Sequence, residues 1–400
     1  MTGTPIDHRE ASASDLEAPT PGPLSFVDHA GLLEEVVQSL GQIGISRLHR
    51  FPTRTDRRML PFEAVNLVHA LAGRGNYVMD RTAIPEFYRG LAGLGTPRAA
   101  ALLRLFVNAL PTELEAWREL LGADLSDRAA AAGLLVPRGT RWASRVRIVP
   151  SHGRLFVTDV IEASRSDSIW LGKDSIILIE SIRRRLAGRR LRNGLEVGSG
   201  SGIVSIHLAH FCERVLGIDI NPRALDCARL NARANNLERV EFRRSDLYRD
   251  VPETFDVIVS NPPHVFIAPA ARATQIYADG GEDYGTSLQM AILDGLHERL
   301  NPEGVALLLL VSPVVRGLDV LPERVRSRLA GRLLDFEFEP LFNNLSVENL
   351  EYHRAQGVQY NWVYLVTVRK ANAFACRVLP AGAGVQAKSW AVRKLMTLAR

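Results

Sequence analysis

The chain has 400 residues, 46% hydrophobic and 23% charged, a soluble globular composition with length for two domains that each bury a core. The excess of 49 basic over 44 acidic side chains, +5, permits a nucleic-acid partner without demanding one. Cys212, Cys227 and Cys376 lie far apart, which excludes a disulfide framework and a CxxC metal site, and no apolar run approaches the roughly 20 residues of a membrane span.

The opening "MTGTPIDHREASASDLEAPTPGPLS" has no apolar core segment, so residues 1–25 read as a disordered leader rather than a secretory signal. With the reduced cysteines this points to the cytoplasm. Residues 26–165 read as mainly helical. Leu102, Leu103, Phe106 and Leu110 recur at helical spacing within 94–110; Thr112 and Ser126 are cap candidates for helices over 112–121 and 125–135. Two alternating runs around Ser151-His152-Gly153 predict a hairpin over 145–160. Helices followed by a hairpin form a winged-helix-like module. Such a module either packs against the following domain or recognises substrate. In the second case a fragment beginning near residue 160 keeps ligand affinity but loses turnover.

Within a domain expected over 166–372, the pattern from 190 onward alternates between strand and helix: "GLEVG", "GIVSIHLAHFC", "RVLGIDI", "RALDCARLNARANN", "VEFRRSD", "FDVIVSNPP", "SLQMAILDGLHERL" and "GVALLLLVS". This predicts a doubly wound, Rossmann-like α/β sheet, completed to seven strands by "LLDFEFEPLF" and "NWVYLVTVRK". Residues 373–400 carry little pattern and read as a tail.

"LEVGSGSGIVSIHLA" (195–209) sets Gly198, Gly200 and Gly202 between a strand and a helix, where the backbone can approach a ligand. A dinucleotide GxGxxG would need Gly or Ala at 203, which is Ile203. Asp219 and Asp246 each end a strand, where they would accept ribose hydroxyls and an exocyclic adenine amine; alone, each would read as a helix cap. Glu196, two residues before the first glycine, favours a ligand with a cationic amino-acid end over one with pyrophosphate. His207 and His210, three apart on the next helix, read as a packed or capped helix face rather than metal ligands, and no metal is expected. The basic runs 47–58 and 183–192 read as solvated faces rather than phosphate grips.

Taken in order, the glycine loop, Asp219, Asp246 and "DVIVSNPPHV" (256–265) resemble a class I S-adenosylmethionine-dependent methyltransferase. The similarity is to the subset with an Asn-Pro-Pro-aromatic motif, which includes release-factor glutamine, ribosomal RNA guanine-N2 and DNA adenine-N6 enzymes. It covers about 166–370, including "ADGGEDYGTSLQMAILDGLHERLNPEGVALLL" and "WLGKDSIILIESI". The N-terminal half is similar instead to that of uncharacterised actinobacterial methyltransferases. The resemblance implies S-adenosylmethionine as cofactor, held by Glu196, Gly198, Ser199, Gly200, Gly202, Asp219, Ile220, Asp246, Leu247 and Asn261. It implies a protein glutamine, an RNA base or a small biosynthetic molecule as acceptor, and no membrane.

Methyl transfer from a sulfonium is an in-line displacement, so the enzyme must aim a lone pair. If Asn261 Oδ1 and the Pro262 carbonyl each accept an N–H, an amide or amine nitrogen turns its lone pair toward the methyl, and the same oxygens stabilise the charge that develops. Prolines hold that carbonyl rigidly and add no donor. His264 stands where the subset has Tyr or Phe, and with Pro263 it would flank the acceptor. The ring either stacks on a planar group or acts as base for a hydroxyl or carbon acid in an O- or C-methyltransferase. A nicotinamide-dependent oxidoreductase and a nucleic-acid-binding module without catalysis are the readings from other classes. Ile203 and the NPP motif oppose the first; intact Glu196, Asp219, Asp246 and Asn261 oppose the second.

Overall fold

The computed structural model describes residues 24–42, 105–106, 111–160, 167–237, 239–274, 278–344 and 350–382, with single positions 101, 109 and 385. Residues 1–23 of the leader, the basic run 47–58 and most of the helix expected over 94–110 lie outside the described residues.

Helix α1 (Ala30–Gly41) buries Leu33, Val36, Val37 and Leu40, a single stripe at three- and four-residue spacing. It packs with α2 (Leu114–Leu121) and α3 (Ala123–Ala131). Trp117 of α2 meets Phe106 edge-on at 5.1 Å and donates its indole N–H to the Trp142 carbonyl at 3.2 Å. Ser126, expected as a cap, lies inside α3, which starts earlier and stops near Gly133 at φ +71°. The chain then turns into a hairpin the sequence pattern does not show, β1 (Leu135–Arg138) with β2 (Arg141–Ser144). Four-residue strands containing Pro137, Arg138 and Arg141 are too short and too polar for alternation to register. The expected hairpin follows as β3 (Val146–Ser151) and β4 (Arg154–Asp159), turning through His152 and Gly153.

The main sheet runs in the order β7-β6-β5-β8-β9-β12-β11-β13. Its strands are β5 (Leu191–Val197), β6 (Cys212–Asp219), β7 (Val240–Arg244), β8 (Phe255–Ser260), β9 (Leu300–Val315), β11 (Leu334–Asn344), β12 (Val358–Lys370) and β13 (Ala375–Val378), and the short β10 (Leu318–Asp319) folds back on β9. The five strands from β7 to β9 are parallel; β12 is antiparallel to both β9 and β11. The seven expected strands are all present. β13 lies in the segment expected as a tail, where Asp335 pairs with Ala375 and Phe338 with Val378.

On one face, α4 (Lys173–Arg185), α5 (Ile203–Leu208) and the inner side of α6 (Pro222–Ala234) cover Val257 and Val259; on the other, Ile258 lies under α8 (Ser287–Asp294) and α10 (Val320–Arg328). That alternation makes the strands apolar on both sides, hence the continuous runs in sequence. Helix α7 (Glu282–Gly285) precedes α8, with α9 (Leu296–Arg299) after it, and α11 (Leu350–Ala355) precedes β12. The outer side of α6 (Ala224, Cys227, Leu230) is buried in the core of the N-terminal module with Leu33, Val37 and Val157. The two halves share that helix.

Strand order reverses between β5 and β8. In such sheets the crevice outside the carboxyl ends at that point receives ligands.

Candidate active site

The glycine loop leaves β5 at the reversal. Gly198, Gly200 and Gly202 take φ values of +74°, +51° and +76°, in the left-handed region that favours glycine. A side chain on Gly202 would sit 2.9 Å from Ala228 Cβ and Phe242 Cζ, so that glycine packs the loop onto α6 and β7. Gly198 and Gly200 would meet nothing within 4 Å; their side of the loop is open to a ligand. Ser199 N–H donates to the Ile218 carbonyl at 2.9 Å, while its buried hydroxyl has no partner among the described residues.

Asp219 ends β6. Its carboxylate accepts from Gly200 N–H at 2.8 Å and Asn221 N–H at 2.9 Å, fixing the loop's height against the strand end. Burial raises the acid's pKa, and the N–H groups of Asn221, Gly200 and Ile220 oppose the rise. The next side chain, Ile220, is 59% exposed and offers an apolar surface. Asp246 follows β7 and pairs at the surface with Arg249 at 2.9 Å; Leu247, at φ +51°, offers its carbonyl to the Ser245 hydroxyl at 2.7 Å.

Glu196 is turned inward. It is 2% exposed and accepts from the backbone N–H of Ser205 at 2.7 Å and from the Ser205 hydroxyl. Burial pushes its acid up to about 8, against the pull of those two bonds. Its geometry is that of a loop anchor beneath the crevice rather than of a carboxylate facing an ammonium.

Asn261 lies at the end of β8, whose Ser260 is in register with Val197. Its Nδ2 donates to Ser175 Oγ on α4 at 3.2 Å. Its Oδ1 is buried and has no partner among the described residues. An orphaned buried carbonyl costs about 1–3 kcal/mol, so its persistence marks a place where a donor is expected. The Pro262 carbonyl already accepts from His264 Nδ1–H at 3.0 Å. The His264 ring is thus folded back along its own loop, with Nε2 in the neutral form left as an acceptor. Pro262 is buried and Pro263 half-buried. The loop is held from behind: Val265 N–H bonds the Ala278 carbonyl at 2.8 Å, Gly280 N–H the Val265 carbonyl at 3.0 Å, and His353 Nε2–H the Phe266 carbonyl at 2.6 Å.

The crevice therefore gathers Gly198, Ser199, Gly200, Asp219, Ile220 and Asn261, with Asp246 and Leu247 at its β7 end and His264 at its β9 side. Ser175 has no signal in the sequence; only tertiary packing brings α4 to Asn261. Asn231 of α6 was also missed, although a polar residue three positions after Ala228 on the apolar stripe is a readable anomaly. A separate cavity of about 450 Å³ lies between Tyr284, Val315, Val320 and Arg324. It includes none of the loop residues, and its lining residue Arg324 also carries an orphaned polar atom.

His207 is buried, with Nε2 3.2 Å from the Ser151 hydroxyl, and burial pushes it down to about 3. It is a neutral packing residue, and among the described residues no group of three or more His, Cys, Asp or Glu could hold a metal. In the basic run, Arg184 and Arg185 reach Glu339 at 3.5 and 2.5 Å. No described helix is long and apolar enough to cross a membrane.

Residues 171–294 match the family model of the methyltransferase small domain. That segment, which carries the glycine loop, Asp219, Asp246 and Asn261, is similar to a methyltransferase domain. It resembles the release-factor glutamine methyltransferases. The enzyme of that name from Buchnera aphidicola subsp. Schizaphis graminum is 36% identical over 96 residues, 24% of this chain and 34% of its own length. That from Rhodopirellula baltica is 31% identical over 153 residues, 35% of this chain and 51% of its own. The chain thus spans about a third to a half of these relatives. Among solved structures, the ribosomal protein L11 methylase of Lactobacillus delbrueckii subsp. bulgaricus is 20% identical, with 50% of this chain and 81% of that chain covered and a TM-score of 0.32.

Proposed function

We propose that the protein transfers a methyl group from S-adenosylmethionine to the side-chain amide nitrogen of a protein glutamine. The carrying observation is the Asn261 carbonyl, buried and unpartnered while its amide is pinned to Ser175. The glutamine acceptor comes from the relatives, which act on that group by name.

The residues present fit the cofactor. Gly198 and Gly200 leave room for its backbone-hugging approach, and Ser199 Oγ is an unpartnered donor and acceptor beside them. Asp219 can accept ribose hydroxyls while retaining its two loop N–H bonds, because a carboxylate has four lone-pair sites. Ile220 supplies an apolar face for adenine, and Asp246 can exchange Arg249 for the exocyclic amine. When bound, S-adenosylmethionine supplies an electrophilic methyl on a sulfonium.

Asn261 Oδ1 accepts one N–H of the acceptor amide, and the second lone pair of the Pro262 carbonyl accepts the other beside His264. This lifts the nitrogen lone pair out of conjugation and aims it at the methyl. The nitrogen exchanges one N–H for N–CH3, and the proton leaves to water. His264 Nδ1–H holds the carbonyl in place. One observation favours a second reading: the same bond leaves Nε2 as an acceptor, the arrangement a base for O- or C-methylation requires. Calorimetry is the first test. The protein is expected to bind S-adenosylhomocysteine and not NAD, and binding of NAD alone would refute the assignment.

A further inference from the structure

A buried side chain couples the N-terminal module to the glycine loop. Asn231 on α6 is fully buried, and all its polar atoms are engaged. Its Oδ1 accepts from Val157 N–H of β4 at 2.7 Å; its Nδ2 donates to the Val157 carbonyl and to the Ser201 carbonyl, both at 2.9 Å. Ser201, in the glycine loop, is 3% exposed. Ser201 precedes the N-cap Gly202, so its carbonyl has no partner in the helical ladder, and Ser205 N–H, one of the free first-turn donors, goes to Glu196. Asn231 takes up the Ser201 carbonyl. Glu196 thus draws the helix start toward β5, and Asn231 ties the preceding loop residue to a strand of the other module.

We propose that Asn231 is a positioning residue that fixes the glycine loop from the N-terminal hairpin, so that cofactor affinity depends on that hairpin. This rests on the reading of the loop as the cofactor site. Nearby ties hold the same hairpin and helix without touching the loop. Asn235 Nδ2 donates to the Leu155 carbonyl at 2.9 Å and to the Asn231 carbonyl at 2.8 Å, and Arg223 pairs with Asp159 at 2.5 and 2.6 Å. A general loosening of the hairpin would follow from cutting either of these; a shift of the loop would follow only from cutting Asn231.

The test compares Asn231→Asp, which keeps the shape and the acceptor for Val157 N–H but loses both donors, with Asn235→Ala. Affinity for S-adenosylhomocysteine is measured by calorimetry at a temperature where circular dichroism shows each variant folded. Asn231→Asp is expected to weaken binding tenfold or more and Asn235→Ala less than twofold. Equal affinity in folded Asn231→Asp, or an equal loss in Asn235→Ala, would overturn the inference. Should Asn231→Asp not fold, hydrogen exchange on the native chain decides: the ligand is expected to protect 155–159 along with 198–205, and unchanged exchange at 155–159 would overturn it. Failure of the native chain to bind would instead overturn the cofactor reading.

Discussion

Asn261 and His264 divide the chemistry between them at the level of single side chains. If the acceptor is an amide nitrogen, Asn261→Ala removes the oxygen that orients it. The rate should fall by about 10²–10³, the scale for one preorganised partner, with cofactor affinity nearly intact. His264→Phe should stay active, since the carbonyl it caps is already held by proline geometry. Single-turnover rates of the two variants measure this; an inactive His264→Phe beside an active Asn261→Ala would mark proton abstraction instead. Asp219→Ala loses charge-assisted bonds and should weaken S-adenosylhomocysteine by roughly 1.5–3 kcal/mol in calorimetry, whereas unchanged affinity would remove Asp219 from the site. The chemical types at these positions were legible in the sequence. Their states were not. That Glu196 faces inward and that His264 folds onto Pro262 depend on which groups burial leaves nearby.

At the scale of elements, two buried titratable groups give opposite pH slopes. Glu196 keeps its proton in the fold up to about 8 while the unfolded chain ionises near 4.5. Its contribution to stability is therefore complete below the unfolded pKa and is lost as pH rises toward 8. Glu196→Gln, which retains an acceptor for Ser205, should remove that decline in denaturant unfolding curves; a decline of the same size in the variant would contradict the assignment. His207 resists protonation down to about 3 against 6.5 unfolded, so its share of stability is lost as pH falls below 6.5. His207→Gln should flatten that acid limb by the same assay. The β3–β4 hairpin and α6 were each legible as elements, but not that α6 faces both ways. If residues 26–165 recognise substrate, a fragment beginning near residue 160 was expected to keep ligand affinity and lose turnover. The shared helix gives another expectation, because such a fragment would expose Ala224, Cys227 and Leu230 and free Asn231 from Val157. Such a fragment should aggregate or bind weakly by light scattering and calorimetry; a monomeric fragment with native affinity would contradict the shared helix.

Across the whole molecule, strand–helix alternation from 190 onward was enough to place the parallel sheet, because strands buried on both faces write continuous apolar runs. It did not show that β12 enters between β9 and β11, since pairing partners carry no local signal. Nor did it show β13, four residues with a single strongly apolar side chain at the sheet edge. The cradle was readable because glycines, acids and prolines are needed there for backbone reasons. The supports behind it, Ser175, Asn231 and His353, act across 30 to 87 residues of chain and appear only when the sheet closes. Label chemistry reads the outcome of all of these parts together. With methyl-labelled S-adenosylmethionine and cell protein as acceptor, acid hydrolysis of an N-methylated glutamine amide releases volatile labelled methylamine. The native chain should produce it and Asn261→Ala should not. Label released as methanol by base, label that stays non-volatile, or equal methylamine from Asn261→Ala would contradict amide-nitrogen transfer at this site.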